Sequence, residues 1–438
     1  MRARLDPTDK AMFALAVPAF GALIAEPLYV LADTAVVASL GTSELAGLGV
    51  ASAILLLVHS AALFLAYGTT ARVARAVGAG RPDEATQVGI SGVALALGAG
   101  VVATLVIALG AETFVGWFGA SGPAAAAGTR YLTVSAFGLP AMLIALAGVG
   151  LLRGHRDTTT PLVIALVSAA ANLAIELVLI VGFDQGIGAS ALATVIAQWG
   201  AAAVYLRKVA HLARAGGVSL RPSTKVLGEL GRDARLLIIR STALRGALVV
   251  TTAAAARLGE VPLAAHHVSF EVWSFLALAL DSVAIAAQTL VGEAVGARDS
   301  VTARSVAKRA VRWSTLVGVA TGAGVFLARK PLAGLFGDDP EVIALAGELL
   351  VAAALLQPLA GAVFGLDGVL IGASDLGFLA VGMVAAGATL ASSSVLVVVL
   401  GGSAIWLWLG VGIHLVVRAT PMLIRLRGNT WLAHGQPA

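Results

Sequence analysis

Apolar residues in this chain come in long unbroken runs. They show neither the two-residue alternation of a half-buried strand nor the narrow stripe of a surface helix. Twelve runs centre near residues 23, 58, 98, 140, 171, 197, 245, 276, 317, 356, 387 and 413. Each reaches the roughly 20 residues that a helix needs to cross a bilayer. Lipid offers no partner to an unpaired peptide group, so the runs predict membrane-spanning helices. A membrane barrel would alternate apolar and polar residues over about ten-residue strands. The expected fold is an all-α integral membrane protein of twelve transmembrane helices.

The connections between runs set the orientation. Basic residues crowd alternate connections: Arg2, Arg4 and Lys10 at the start, Arg72, Arg75 and Arg81, Arg153 and Arg156, seven from Arg207 to Arg235, five from Arg298 to Arg312, and Arg418, Arg425 and Arg427 in the tail. Of 29 basic residues, 23 fall on this one side. The positive-inside rule then places both termini and the central connection in the cytoplasm. Arg329 and Lys330, on an outer connection, run against the trend. Composition agrees: 59% hydrophobic and 12% charged, with mean hydropathy +0.94, against about 25% charged in soluble domains. The net charge of +5 therefore marks cytoplasmic loops and implies no nucleic-acid partner. Arginine outnumbers lysine, 24 to 5, which fits a GC-rich bacterial genome and hence a bacterial cytoplasmic (inner) membrane. No short apolar core with a small-residue cleavage site follows "MRARLDPTDK", so no cleavable signal is expected. The absence of cysteine excludes disulfides, thiolate metal sites and cysteine nucleophiles.

Four segment pairs repeat at one offset of 218 residues: "ARAVGAGRPDEA" at 74 with "GEAVGARDSVTA" at 292, "GWFG" at 116 with "GLFG" at 334, "GLLRGHRD" at 150 with "GVLIGASD" at 368, and "LGTSELA" at 40 with "LGEVPLA" at 258. An ungapped offset held over four places predicts two six-span halves in parallel orientation. The expected domains are an N-lobe at 1–206 with spans 1–6, a cytoplasmic basic linker at 207–233, and a C-lobe at 234–438 with spans 7–12 and a short cytoplasmic tail. Parallel repeats with a site between or inside the halves are a recurrent transporter plan.

Against this apolar background a few polar residues inside spans stand out. "EPLYVLADTAVVAS" carries Glu26 and Asp33, seven residues apart and so on one helix face. Pro18 and Pro27 in the same span each remove a backbone hydrogen bond and favour bending. In "ANLAIELVLI", Asn172 and Glu176 are one turn apart. A carboxylate at the bilayer centre costs at least about 2.5–3.5 kcal/mol, so such residues usually serve a pathway or a partner. The offset maps Asp33 onto Thr251, Asn172 onto Leu390, Glu176 onto Ser394 and Tyr131 onto Leu349. The acids occur in the first half only, which favours function over architecture. The alternative for Asp33 is a structural pair with Arg240 or Arg245. Glu271, Asp281 and Asp367 read as structural partners of those same arginines, and Glu26 as a residue of a hydrated region near one surface. The histidines show no metal-ligand spacing, and no metal site or cofactor is expected. No G-x-x-x-x-G-K-[ST], H-E-x-x-H, G-x-S-x-G or "TVGYG" occurs, so no ATP-driven pump, familiar membrane hydrolase or potassium channel is indicated.

The stretches "P…ADTAVVASLGTSELAG", "LLRGHRDTTTP", "ANLAIELVLIVGFDQGIGASALATVIAQ" and "ALDSVAIAAQTLVGEAVGA" together resemble the multidrug and toxic compound extrusion (MATE) family. The last of these and "DGVLIGASD" resemble its DinF-like prokaryotic branch. The resemblance implies a secondary antiporter, not an enzyme, with two six-helix lobes. It would act as a monomer and expel amphipathic, often cationic small molecules in exchange for inward protons or sodium. It assigns coupling to Asp33, hydrogen bonding in the same cluster and substrate pocket to Tyr131, Asn172 and Thr194, and helix-1 bending to Pro18. Glu176 stands where the family usually has aspartate. Burial disfavours the charged form of a carboxyl group, so protonation of first-lobe acids is the expected coupling event. A sodium-coupled exporter and a lipid-linked-precursor flippase are the alternatives; the latter would favour a basic cavity and extra spans.

Overall fold

A computed structural model describes residues 6–433; Arg2 and Arg4 lie outside the described residues. All regular structure among these is helical: α1 (Pro7–Ala38), α2 (Thr42–Ala62), α3 (Phe64–Gly78), α4 (Pro82–Trp117), α5 (Gly122–Ala136), α6 (Leu139–Gly154), α7 (Thr159–Leu177), α8 (Ile187–Ala215), α9 (Thr224–Leu258), α10 (Glu260–Gly296), α11 (Ser300–Gly334), α12 (Pro340–Gly372), α13 (Leu376–Val399), α14 (Ala404–Arg427) and a last turn, α15 (Thr430–Ala433). Eleven of the spans, counting α2 with α3, are long and apolar enough to cross a membrane; α5 and α6, bent by 52°, make a twelfth. These correspond one to one with the twelve apolar runs. Their outer faces carry lipid-type side chains such as Leu109, Leu327 and Val399, all largely exposed.

The helices fall into two compact units. One holds Gly21–Ala234 and the other Arg235 onward together with the residues up to Phe20. The expected linker is largely helical, because α8 runs to Ala215 and α9 begins at Thr224. Helix α1 therefore serves both units, changing over three residues after Pro18, and α9 changes over at 234–235. In the first unit Arg72 of α3 holds Glu229 and Asp233 of α9, each at 2.6 Å. In the second, Arg309 of α11 holds Asp6 and Asp9 at 2.7 and 2.8 Å, and the Trp313 indole N–H donates to Asp9. Asp299 caps α11, and hydrogen bonds from Thr302 hold its carboxyl below the usual carboxylate range.

The 218-residue repeat is written into the backbone itself. Left-handed conformations recur at Gly41 and Gly259, Gly80 and Arg298, Gly119 and Gly337, and Arg156 and Ser374. Each pair is separated by that offset, and Arg298, Arg156 and Ser374 adopt the conformation without being glycine. Close helix approach recurs too. Gly150 on α6 lies 2.8 Å from the Ala66 carbonyl oxygen when a Cβ is added, and its counterpart Gly368 would place a Cβ on the Ala284 carbonyl. Gly154 and Gly372 are equivalent again, with a Cβ 2.5 Å from Val73 Cβ and 2.5 Å from the Gln288 carbonyl oxygen. In lipid no water is expelled between helices, so small residues that let backbones approach supply much of the packing energy.

Gly368→Ala should therefore destabilise the second unit by about 1–3 kcal/mol through overpacking. Gly324→Ala, where an added Cβ meets nothing within 4 Å, should be neutral or slightly stabilising. Thermal unfolding of the two purified variants in detergent checks the contrast.

Candidate functional site

Three helices of the Gly21–Ala234 unit each contribute two polar side chains spaced four residues apart: Tyr29 and Asp33 from α1, Asn172 and Glu176 from α7, Ser190 and Thr194 from α8. Residues four apart stack on one helix face, so the six form two layers one turn apart. α8 carries its pair in reverse order because it runs opposite to α1 and α7. In the first layer the Tyr29 hydroxyl and Thr194 Oγ1 are 2.9 Å apart, and Asn172 Nδ2 donates to Thr194 Oγ1 at 2.9 Å and to the Tyr29 oxygen at 3.3 Å. In the second layer Ser190 Oγ donates to Asp33 Oδ1 at 2.9 Å. Glu176 lies beside both, close enough for the two carboxyls to feel each other's charge.

Burial makes this layer unusual. Asp33 is 5% exposed and Glu176 0%. Neither Glu176 oxygen has a hydrogen-bond partner, nor does Asn172 Oδ1. No arginine or lysine pairs with either acid among the described residues. Val37, Leu132, Ile187 and Ala191, each within four residues of Asp33, Tyr131 or Ser190 along its helix, belong to one buried apolar cluster together with Tyr131. Two ionised carboxylates side by side in such a place repel each other and lack solvation. The arrangement can lower that cost by taking up a proton or a small cation, and Glu176 is the last residue but one of α7, two residues before a π-helical turn, Val178–Gly182. Such turns often mark functional positions.

The second unit supplies an internal control. Thr251 and Ser394, the counterparts of Asp33 and Glu176, are 2.9 Å apart and hydrogen-bonded. The fold thus brings these two positions together in both halves, and only the first half fills them with acids. Where the first unit has Ser190, the second has Trp408, 2% exposed and packed edge-on against Trp273 and His266. The second unit's version of the site is filled and uncharged.

Of the other residues singled out from sequence, Tyr131 on α5 is buried and comes up against Thr194 and the two acids. Pro18 and Pro27 sit inside α1, which runs without a break. Glu26 is not in the cluster: its side chain is exposed and faces His59 on α2. Asp367 accepts from Arg240 at 2.7 Å and also from Arg418, on the same oxygen. Arg240 is thus taken up by Asp367, while Glu271 and Arg245 make no ion pair among the described residues. Asp281 is half-buried on α10. Tyr29 and Ser190 were not anticipated; the available signal was a polar residue four positions before Asp33 and four before Thr194. Among the described residues no group of three or more His, Asp or Glu is arranged to hold a metal ion.

The MatE family model matches residues 18–178 and again 238–401, one match in each half. Protein DETOXIFICATION 44, chloroplastic, of Arabidopsis thaliana is 33% identical, over 86% of this chain and 74% of that protein. DNA damage-inducible protein F of Escherichia coli is 29% identical, over 98% and 95%. Among solved structures, a MATE transporter in the bent conformation superposes with TM-score 0.87 at 19% identity, covering 98% of this chain and 96% of that one. That likeness carries the fold alone.

Thr194→Val keeps the shape of the first layer but removes the oxygen shared by Tyr29 and Asn172. It should cost about 1–2 kcal/mol, read as a lower unfolding temperature in detergent. Thr252→Val, which loses only a bond to its own helix backbone, should not.

Proposed function

Because the chain belongs to the multidrug and toxic compound extrusion family, we propose that it is a proton-driven antiporter that exports amphipathic, cationic compounds from a bacterial cell. In this reading it lies in the cytoplasmic membrane with both termini inside, and Asp33 and Glu176 carry the coupling proton. The observation that supports this most directly is the buried acid pair without a basic partner, set against the hydroxyl pair in the same place of the other half.

The chemistry follows from the geometry. Holding one proton relieves repulsion between the two carboxyls, and a proton needs no coordination cage. Asp33 sits on α1, the helix that serves both compact units, and Pro18 and Pro27 weaken that helix's own hydrogen bonding. Loading or removing a proton changes what Asp33 asks of Ser190 and Glu176, and so biases the shape of α1. Coupling is then the difference in affinity of proton and cargo for the two shapes. A sodium-driven version of the same scheme is the second reading. The unpartnered oxygens of Glu176 and Asn172 are the kind of donors that a sodium ion would use.

Asp33→Asn should abolish export while leaving a folded protein, because the substitution removes charge without opening a cavity. Thr251→Ala, at the equivalent position, should export close to normally. Uptake of a fluorescent cation into inverted vesicles measures both. Glu176→Asp should keep partial export and Glu176→Gln none.

The driving ion is separated in proteoliposomes given one gradient at a time. Export that persists without sodium and collapses with a protonophore is the expected result. Export that needs a sodium gradient and ignores the protonophore would move Asp33 and Glu176 to the role of sodium ligands.

A further inference from the structure

Glu26 is a charged residue that the acid-pair mechanism leaves unused. It sits near the middle of α1, and its side chain is 56% exposed. His59, near the middle of the Thr42–Gly78 span, is 21% exposed and places Nε2 3.9 Å from Glu26 Oε1. An exposed carboxylate at mid-span faces water or a polar ligand, because lipid would not tolerate it. At 3.9 Å the two side chains are not hydrogen-bonded, so the carboxylate keeps its acceptor capacity for something else.

The repeat again separates function from architecture. The counterparts of Glu26 and His59 are Leu244 and Ala277. The fold therefore needs neither the charge nor the imidazole.

Resting on the export reading above, we propose that Glu26 and His59 form a binding site for the cationic group of the transported compound, with His59 as its pH-operated competitor. With neutral His59, Glu26 is a free carboxylate that attracts an organic cation at the hydrated face of the first unit. When the imidazole takes up a proton, the imidazolium is the nearer cation for Glu26, and the bound compound loses its counter-charge. The exchange moves one proton onto His59 and one organic cation off Glu26, so charge balances at the site. The release happens on the proton-rich side, as antiport requires. The other titratable groups on this face of α1 are Tyr29 and Asp33. Tyr29 lies within electrostatic reach of Glu26, and Asp33 is already engaged with Ser190. α4, α5 and α6 pack on α2, and none of them makes an ion pair with Glu26 or His59.

The test is equilibrium binding of tetraphenylphosphonium, whose charge does not titrate, to the full-length protein in detergent. It is run at about pH 8 and about pH 5.5, either side of the ordinary histidine range. A background carrying both Asp33→Asn and Glu176→Gln is run in parallel, so that neither acid of the deeper pair titrates. Glu26→Gln should weaken binding at the higher pH about tenfold, the worth of one partly hydrated charge pair. Glu26→Asp should retain most of the affinity, which rules out misfolding as the cause. His59→Gln should bind as tightly as the unsubstituted protein at high pH but lose its weakening at low pH. Unchanged affinity in Glu26→Gln, or an unchanged pH response in His59→Gln, overturns the site. So does an unsubstituted protein that binds no tetraphenylphosphonium. Proton flux driven by other compounds in proteoliposomes tests the Asp33 coupling separately and can stand when this site falls.

Discussion

A bilayer gives no help to a polar group, and the placement of nearly every charge in this protein answers to that constraint. Where charge is architectural it is paired. Asp367 takes two guanidinium groups, from α9 and α14, and Asp375 takes Arg425. Arg72 holds the start of α9 and Arg309 the start of α1, each through two carboxylates. These pairs tie helices together by satisfying groups that would otherwise be costly to bury. Against that rule, Asp33 with Glu176 and the open Glu26 stand apart, one buried without a counter-charge and the other left exposed at mid-span.

The duplicated architecture explains how such departures are tolerated. Turn geometry and glycine-mediated helix contacts recur at a constant offset in both halves, so the scaffold does not depend on what fills the polar positions. One half has filled them with Thr251, Ser394 and Trp408, a hydroxyl pair and a packed indole. The other has Asp33, Glu176 and Ser190 in the same frame. Stability can thus reside in the shared frame while the first half carries an arrangement that is costly in one protonation state and relieved in another. α1 and α9 give the two units a covalent route for that difference, since each serves both.

Much of this was legible from sequence because the bilayer reduces the folding problem to a few strong signals. Run length fixed the spans, and an ungapped offset of 218 residues exposed the duplication. Rarity alone pointed to Asp33, Asn172 and Glu176, since a polar residue in an apolar run has few innocent explanations. The same logic missed Tyr29 and Ser190. Tyrosine and serine are common enough in spans to pass unnoticed, and nothing local distinguishes a hydroxyl that meets an acid from one that bonds its own helix, as Thr252 does.

The sequence by itself therefore determined the class, the number of spans, the repeat and the presence of acids inside spans of the first half, because those depend on hydropathy and spacing along one helix. Which helices meet was decided only in three dimensions. Asp33, Glu176 and Ser190 are as much as 157 residues apart, and Glu26, on the same face of α1 as Asp33, turns out exposed beside His59 instead of joining it. The partner of Arg240 could not be read either, because Glu271, Asp281 and Asp367 offer the same chemistry along the chain. Side-chain pairing between helices depends on their rotation and depth, and neither leaves a periodic trace in the residues that do the pairing.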